Sequence, residues 1–152
     1  MSGAKGGTRL QITSDAHLGL ILCDHGTHPS VEDLAEFFAS RLELLLREGH
    51  WRLLVDSRRI EVSPLMASRA RAFVMSVERT IQATDAGGDR VFRTVFIAKP
   101  GTLGQGAARM IVGNAWGVPR QTFGLAENPD EAGCLLGLPM EWYRPFGPPW
   151  TE

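Results

Sequence analysis

LGLILCDHGTHPSVEDLAEFFASRLELLLREGHWRLLVD, Leu18 to Asp56, changes its hydrophobic period twice, and those changes decide the fold. Leu18, Leu20, Ile21, Leu22 and Cys23 make Leu18–His25 short and almost continuously apolar, as a strand covered on both faces must be. Gly26-Thr27-His28-Pro29 then breaks the chain. Ser30-Val31-Glu32-Asp33 is a capping-box-like start, in which the Ser hydroxyl and the Asp carboxylate satisfy N–H groups that have no intrahelical partner, so a helix begins at Val31. Val31, Leu34, Phe38, Leu42 and Leu45 fall on one stripe, with Glu32, Glu36, Glu43 and Arg47 on another, which is an amphipathic helix lying on a sheet. Gly49 ends it, and Trp51-Arg52-Leu53-Leu54-Val55-Asp56 is a second buried strand.

Upstream, Leu10-Gln11-Ile12-Thr13 alternates and pairs back onto the first apolar strand across Asp15-Ala16-His17, an opening hairpin. Downstream, Ser57 to Val62 forms a loop into Ser63-Pro64, an N-cap followed by proline at the first helical position. Met66, Ala70, Phe73, Val74, Val77 and Ile81 share one helical face, and Asp85-Ala86-Gly87-Gly88-Asp89 marks the exit. Phe92 to Ala98 is a third core strand. A helix over Gln105–Trp116 follows the Pro100 to Gly104 turn, weakened by Gly106 and Gly113 at about 1 kcal/mol each relative to Ala, and Pro119 closes it. Gln121–Leu125 is the last strand, and Asn128-Pro129-Asp130-Glu131 caps a short helix to Leu136. Strands alternating with helices give βαβ crossovers: an α/β domain with a mixed, mostly parallel sheet of four or five strands flanked by helices, its antiparallel edge at the hairpin.

At 152 residues the chain fits one domain able to bury a core without staples. The expected division is a flexible N-terminus over 1–9, the α/β domain over 10–138 and a tail over 139–152. The tail carries Trp142, Tyr143, Phe146 and Trp150 among four prolines. It is too proline-rich for helix or central strand and too aromatic for disorder, so it packs on its own domain or on a dimer mate. Sixteen basic against seventeen acidic residues leave a net charge of -1, with no global field to gather nucleic acid. No apolar run reaches the roughly 20 residues of a membrane span. Cys23 and Cys134 lie in apolar settings without metal-ligand spacing and read as buried thiols. With no secretory core at the N-terminus, a soluble, cytoplasmic protein is expected, with neither metal nor cofactor.

This order of elements resembles the SpoIIAA-like branch of the STAS domains, named after anti-sigma factor antagonists. The matching features are the hairpin ending in Leu20-Ile21-Leu22, the turn into Ser30-Val31-Glu32-Asp33-Leu34, Leu53-Leu54-Val55-Asp56, the helix after Ser63-Pro64, Thr94-Val95-Phe96-Ile97, and Phe123 followed by Asp130-Glu131-Ala132 and Leu135. The resemblance covers about Leu10 to Leu138. It implies a four- or five-stranded sheet with helices mostly on one face, and a non-catalytic, regulatory role in binding a partner protein or a small ligand. Phosphoswitch members carry an Asp-Ser-Ser-Gly-like motif where this chain has Val62-Ser63-Pro64-Leu65. Ser63 is the nearest hydroxyl for phosphorylation, but the second serine and the glycine are missing, and an N-cap role alone explains it.

Several residues are candidates for a site. His25 and His28 flank Gly26-Thr27 beside Asp24, at the C-terminal end of a strand where open α/β sheets place ligands. They read as metal ligands, as an acid/base pair, or simply as an exposed polar turn. Asp56-Ser57-Arg58-Arg59 ends the next strand, where Arg58 and Arg59 can clamp a carboxylate or phosphate bidentately. Arg69 and Arg71 either add to that clamp or form a solvated helix face. Gly101 to Gly106 opens a helix and offers bare N–H groups to an anion, or is only a turn. No nucleophile motif is visible. Three functions therefore stand: a binding domain that meets a partner along the helix from Pro64 to Thr84 or takes a small acidic or apolar ligand; a small hydrolase or transferase using His25 or His28 with Asp24 or Asp56 and the Arg58/Arg59 clamp; and a homodimer module completed by the tail.

Overall fold

The computed structural model describes residues 9–61 and 67–152. Ser63, the Pro64 start of its helix, Met66 and most of the expected flexible N-terminus lie outside the described residues.

Five strands form one sheet in the order β1 (Gln11–Asp15), β2 (Leu20–Asp24), β3 (Arg52–Asp56), β4 (Phe92–Ile97) and β5 (Gln121–Ala126). β1 runs antiparallel to β2, and β2 to β5 are parallel. Each parallel step crosses through one helix: α1 (Val31–Arg47), α2 (Ala67–Thr84) and α3 (Leu103–Gly113). Because the strands are laid down in chain order and crossovers keep one hand, these three helices cover the same face. α4 (Pro129–Leu136) covers the other.

Side-chain alternation divides the core accordingly. Ile21, Cys23, Leu53, Val55, Phe92 and Phe96 face the three helices, while Leu20, Leu22, Leu54, Val95 and Ile97 face α4 and the tail. Covering on both sides is why β2 reads as an unbroken apolar run. The tail fills its half of the second face with Trp142 and Trp150, both buried. Trp142 also donates its indole N–H to the Pro129 carbonyl at 3.0 Å. The tail's aromatic residues thus complete a core within their own chain.

Helix starts follow the caps. Ser30 Oγ accepts from the Asp33 N–H at 3.1 Å, and Asn128 Oδ1 from the Glu131 N–H at 2.8 Å. α3 departs from the sequence reading by starting two residues earlier and ending three earlier, capped by Thr102. The reason is tertiary. Gly104 lies against β3 so closely that a Cβ there would be 2.0 Å from the Ser57 carbonyl oxygen, so this glycine is a packing requirement rather than a break. A second correction concerns Cys134, which is exposed. α4 turns Ala132, Gly133 and Leu136 onto the sheet, and residue 134 projects outward. No helix among the described residues is long and apolar enough to cross a membrane.

Candidate functional site

β2 and β3 end in the same register, with Asp24 opposite Asp56. That rung places the site, because the residues on either side of it alternate between faces. Asp24 and Asp56 point to the α4 and tail face, and the next pair, His25 and Ser57, points to the helical face. There His25 and Ser57 stand at one end of a cavity between the sheet and α1, α2 and α3.

The cavity is lined almost wholly by apolar groups, among them five of the chain's seven phenylalanines: Phe38, Phe73, Phe92, Phe96 and Phe123. Val31 and Leu34, the first residues of the α1 stripe, are only half-buried because they border it. About 60 Å³ is open to the centres of water-sized groups, several times the roughly 10–15 Å³ that one water needs. The polar lining is sparse. At the strand ends are His25, Ser57 and Ser30, and toward β5 are Thr94 and Gln121. Gln121 is held by its amide N–H groups, which donate to Val74 O at 3.0 Å and Glu78 Oε1 at 3.1 Å. Ser57 Oγ and His25 Nδ1 are 3.4 Å apart, a loose contact. Burial of the His25 ring lowers its pKa to about 4, although the neighbouring Asp24 and Asp56 carboxylates pull the other way. At neutral pH the imidazole is therefore uncharged, with one N–H and one lone pair to offer.

Both arginines of the expected clamp lie on the far face, each engaged by one carboxylate. Arg58 grips Asp56 bidentately, Nε to Oδ1 at 3.0 Å and Nη2 to Oδ2 at 3.1 Å, and donates to the Pro149 carbonyl at 2.8 Å. Asp56 Oδ1 also accepts the Arg58 backbone N–H, so it closes its own loop. Arg59 reaches Asp24 Oδ2 at 2.5 Å, and Asp24 Oδ1 takes the Gly26 N–H at 2.9 Å. These two pairs anchor the end of the tail and the loop after β3. His28 is exposed, its Nδ1 against Thr27 Oγ1 at 2.8 Å. Arg69 is exposed on α2 and pairs with Glu32 of α1 at 2.5 Å. Arg71 stacks on Trp116, 3.7 Å from the ring centroid.

No family model, curated protein or solved structure matches this chain.

Among the described residues, His25 is the one assigned to a site from sequence that also lines the cavity. The Gly101–Gly106 turn uses its own donors: the Gln105 N–H goes to Thr102 Oγ1, and the Gly101 N–H to Gln105 Oε1. Among the described residues, no three His, Cys, Asp or Glu side chains gather to hold a metal ion. Ser57 and the phenylalanine lining went unrecognised. The available signal was the matched strand ends CDH and VDS: set side by side as parallel neighbours, they bring His25 against Ser57.

Proposed function

We propose that this chain is a non-catalytic binding domain of the STAS-like kind, taking a small apolar ligand into the cavity between its sheet and α1, α2 and α3. The observation that carries this is an apolar cavity with few polar groups, two of which, His25 and Ser57, adjoin at the C-terminal ends of parallel strands, where open α/β sheets bind ligands. Of the two occupants the sequence left open, partner protein and small ligand, the cavity favours the ligand. Of acidic and apolar ligands it favours the apolar one, since among the described residues no lysine or arginine lines it. The protein's role is then to report or carry the ligand, with its outer surface free to meet a regulatory partner.

One observation favours a second reading, a small hydrolase. Ser57 and His25 adjoin as a nucleophile and base would. Against it stand the weak basicity of His25, since general bases work best with a pKa near the operating pH, and the engagement of Arg58 and Arg59 by Asp56 and Asp24. Native mass spectrometry of the protein purified from its host separates the two. A retained apolar molecule, lost in the cavity-filling variant Ala107→Leu, is the expected result. An empty cavity together with turnover of an ester substrate that Ser57→Ala abolishes would reverse the assignment.

A further inference from the structure

We infer that the occupant is a single unbranched hydrocarbon chain with an uncharged, hydrogen-bonding head seated at His25 and Ser57; this rests on the cavity being the ligand site.

The cavity's shape selects a chain. Its lining runs diagonally across the sheet, from His25 after β2 to Phe92, Gln121 and Phe123 on β4 and β5. Along β4 the Asp56–Ile97 rung and the Phe92–Gln121 rung are five residues apart. At about 3.3 Å per residue, and with three strand spacings of about 4.8 Å from β2 to β5, the diagonal is on the order of 20 Å. The open space inside that lining, about 60 Å³ for the centres of water-sized groups, is small for so long a tube of lining residues, and an occupant that follows it from His25 to Phe123 must be long and thin, as a polymethylene chain is and a single aromatic ring is not.

The head's charge follows from the lining. Among the described residues no lysine or arginine borders the cavity, and Arg58 and Arg59 are held on the opposite face by Asp56 and Asp24, so a carboxylate or phosphate at His25 would lose its water and meet no cation in return. An alcohol, ester or amide incurs no such loss, because Ser57 and a neutral imidazole supply both a donor and an acceptor.

The test titrates the purified protein with hexanol, octanol, decanol and dodecanol, then with decanoate, 2-phenylethanol and indole, reading Kd by calorimetry and binding location by NMR shifts of the cavity methyl groups. Affinity is expected to rise roughly three- to fourfold per methylene and to level off where the chain fills the tube. Decanol should bind at least tenfold more tightly than decanoate or 2-phenylethanol, and Ser57→Ala should cost decanol severalfold while leaving the affinity for decane, which has no head, unchanged. Equal or tighter binding of indole or 2-phenylethanol would overturn the chain and leave the cavity as a ligand site. Tighter binding of decanoate would overturn the uncharged head. If none of these compounds shifts the cavity methyls, the binding-domain assignment itself falls.

Discussion

Gly104→Ala sets helix propensity against tertiary packing, and the structure fixes which one wins. In an exposed helical position, replacing Gly by Ala stabilises by about 0.5–1 kcal/mol. At Gly104 the added Cβ would stand 2.0 Å from the Ser57 carbonyl oxygen and 2.9 Å from its carbon. Both are backbone atoms of β3's end, so no side chain can swing aside. Either α3 or the Ser57 loop must retreat by about 1 Å, and forced overpacking of this kind costs typically 1–3 kcal/mol. The net expectation is a loss of about 1–2 kcal/mol. Gly106, two residues on, is the control, since a Cβ there meets nothing within 4 Å, and Gly106→Ala should stabilise by up to about 1 kcal/mol. Urea unfolding of both variants, followed by circular dichroism, gives the two signs. If Gly104→Ala is as stable as Gly106→Ala, α3 does not abut Ser57 and the cavity's polar end is not built as described.

Further outcomes follow from the ion pairs, the thiols and the imidazole. Arg58→Met strands the Asp56 carboxylate, which is 2% exposed, and should cost about 3–5 kcal/mol in urea titrations; adding Asp56→Leu should recover much of it. A thiol reagent should modify exposed Cys134 in the native protein, and Cys23 only on unfolding, because burial and the Asp24 and Asp56 charges hold the Cys23 thiol well above its usual pKa. His25 contributes to acid sensitivity with a definite sign: its folded pKa of about 4 lies below the ordinary 6.5, so the unfolded chain binds the extra proton. Its contribution is complete above about pH 6.5, declines as pH falls toward 4, and amounts at most to about 3 kcal/mol. His25→Phe should flatten that part of the stability profile, and an unchanged slope would mean the ring is not buried. Arg69→Ala and His28→Ala, both on exposed residues, should change stability by no more than about 0.5 kcal/mol.

The elements were legible wherever a local rule sets them. The Ser30 cap, the α1 stripe and the unbroken apolar runs of β2 and β3 answer to hydrogen-bond need and periodicity, which neighbouring residues alone decide. α3 was less so. Gly104 looks like a breaker in sequence, because what makes it useful, contact with a carbonyl of β3, lies 47 residues away in the chain. Cys134 was misread for a related reason: apolar neighbours in sequence do not fix which side of a short helix a residue takes. The site was the least legible part. Asp56, Ser57 and Arg58 are consecutive, yet Ser57 faces the cavity while its two neighbours bind one another and Pro149 on the opposite side of the sheet. Arg58 and Arg59, at the end of the strand next to the one that ends at His25, suggested an anion clamp. Strand alternation separates them, and a cavity formed by what Val31, Leu34 and five phenylalanines fail to fill has no motif at all.

The central claim, that the space beneath α1, α2 and α3 is a ligand site, is tested most directly by methyl and aromatic NMR of the protein titrated with decanol. The account predicts saturable shifts at Val31, Leu34, Val55, Val77 and Ile111, absent in Ala107→Leu. Shifts confined to exposed residues such as Trp116 and Met140, or unaltered by Ala107→Leu, would contradict it.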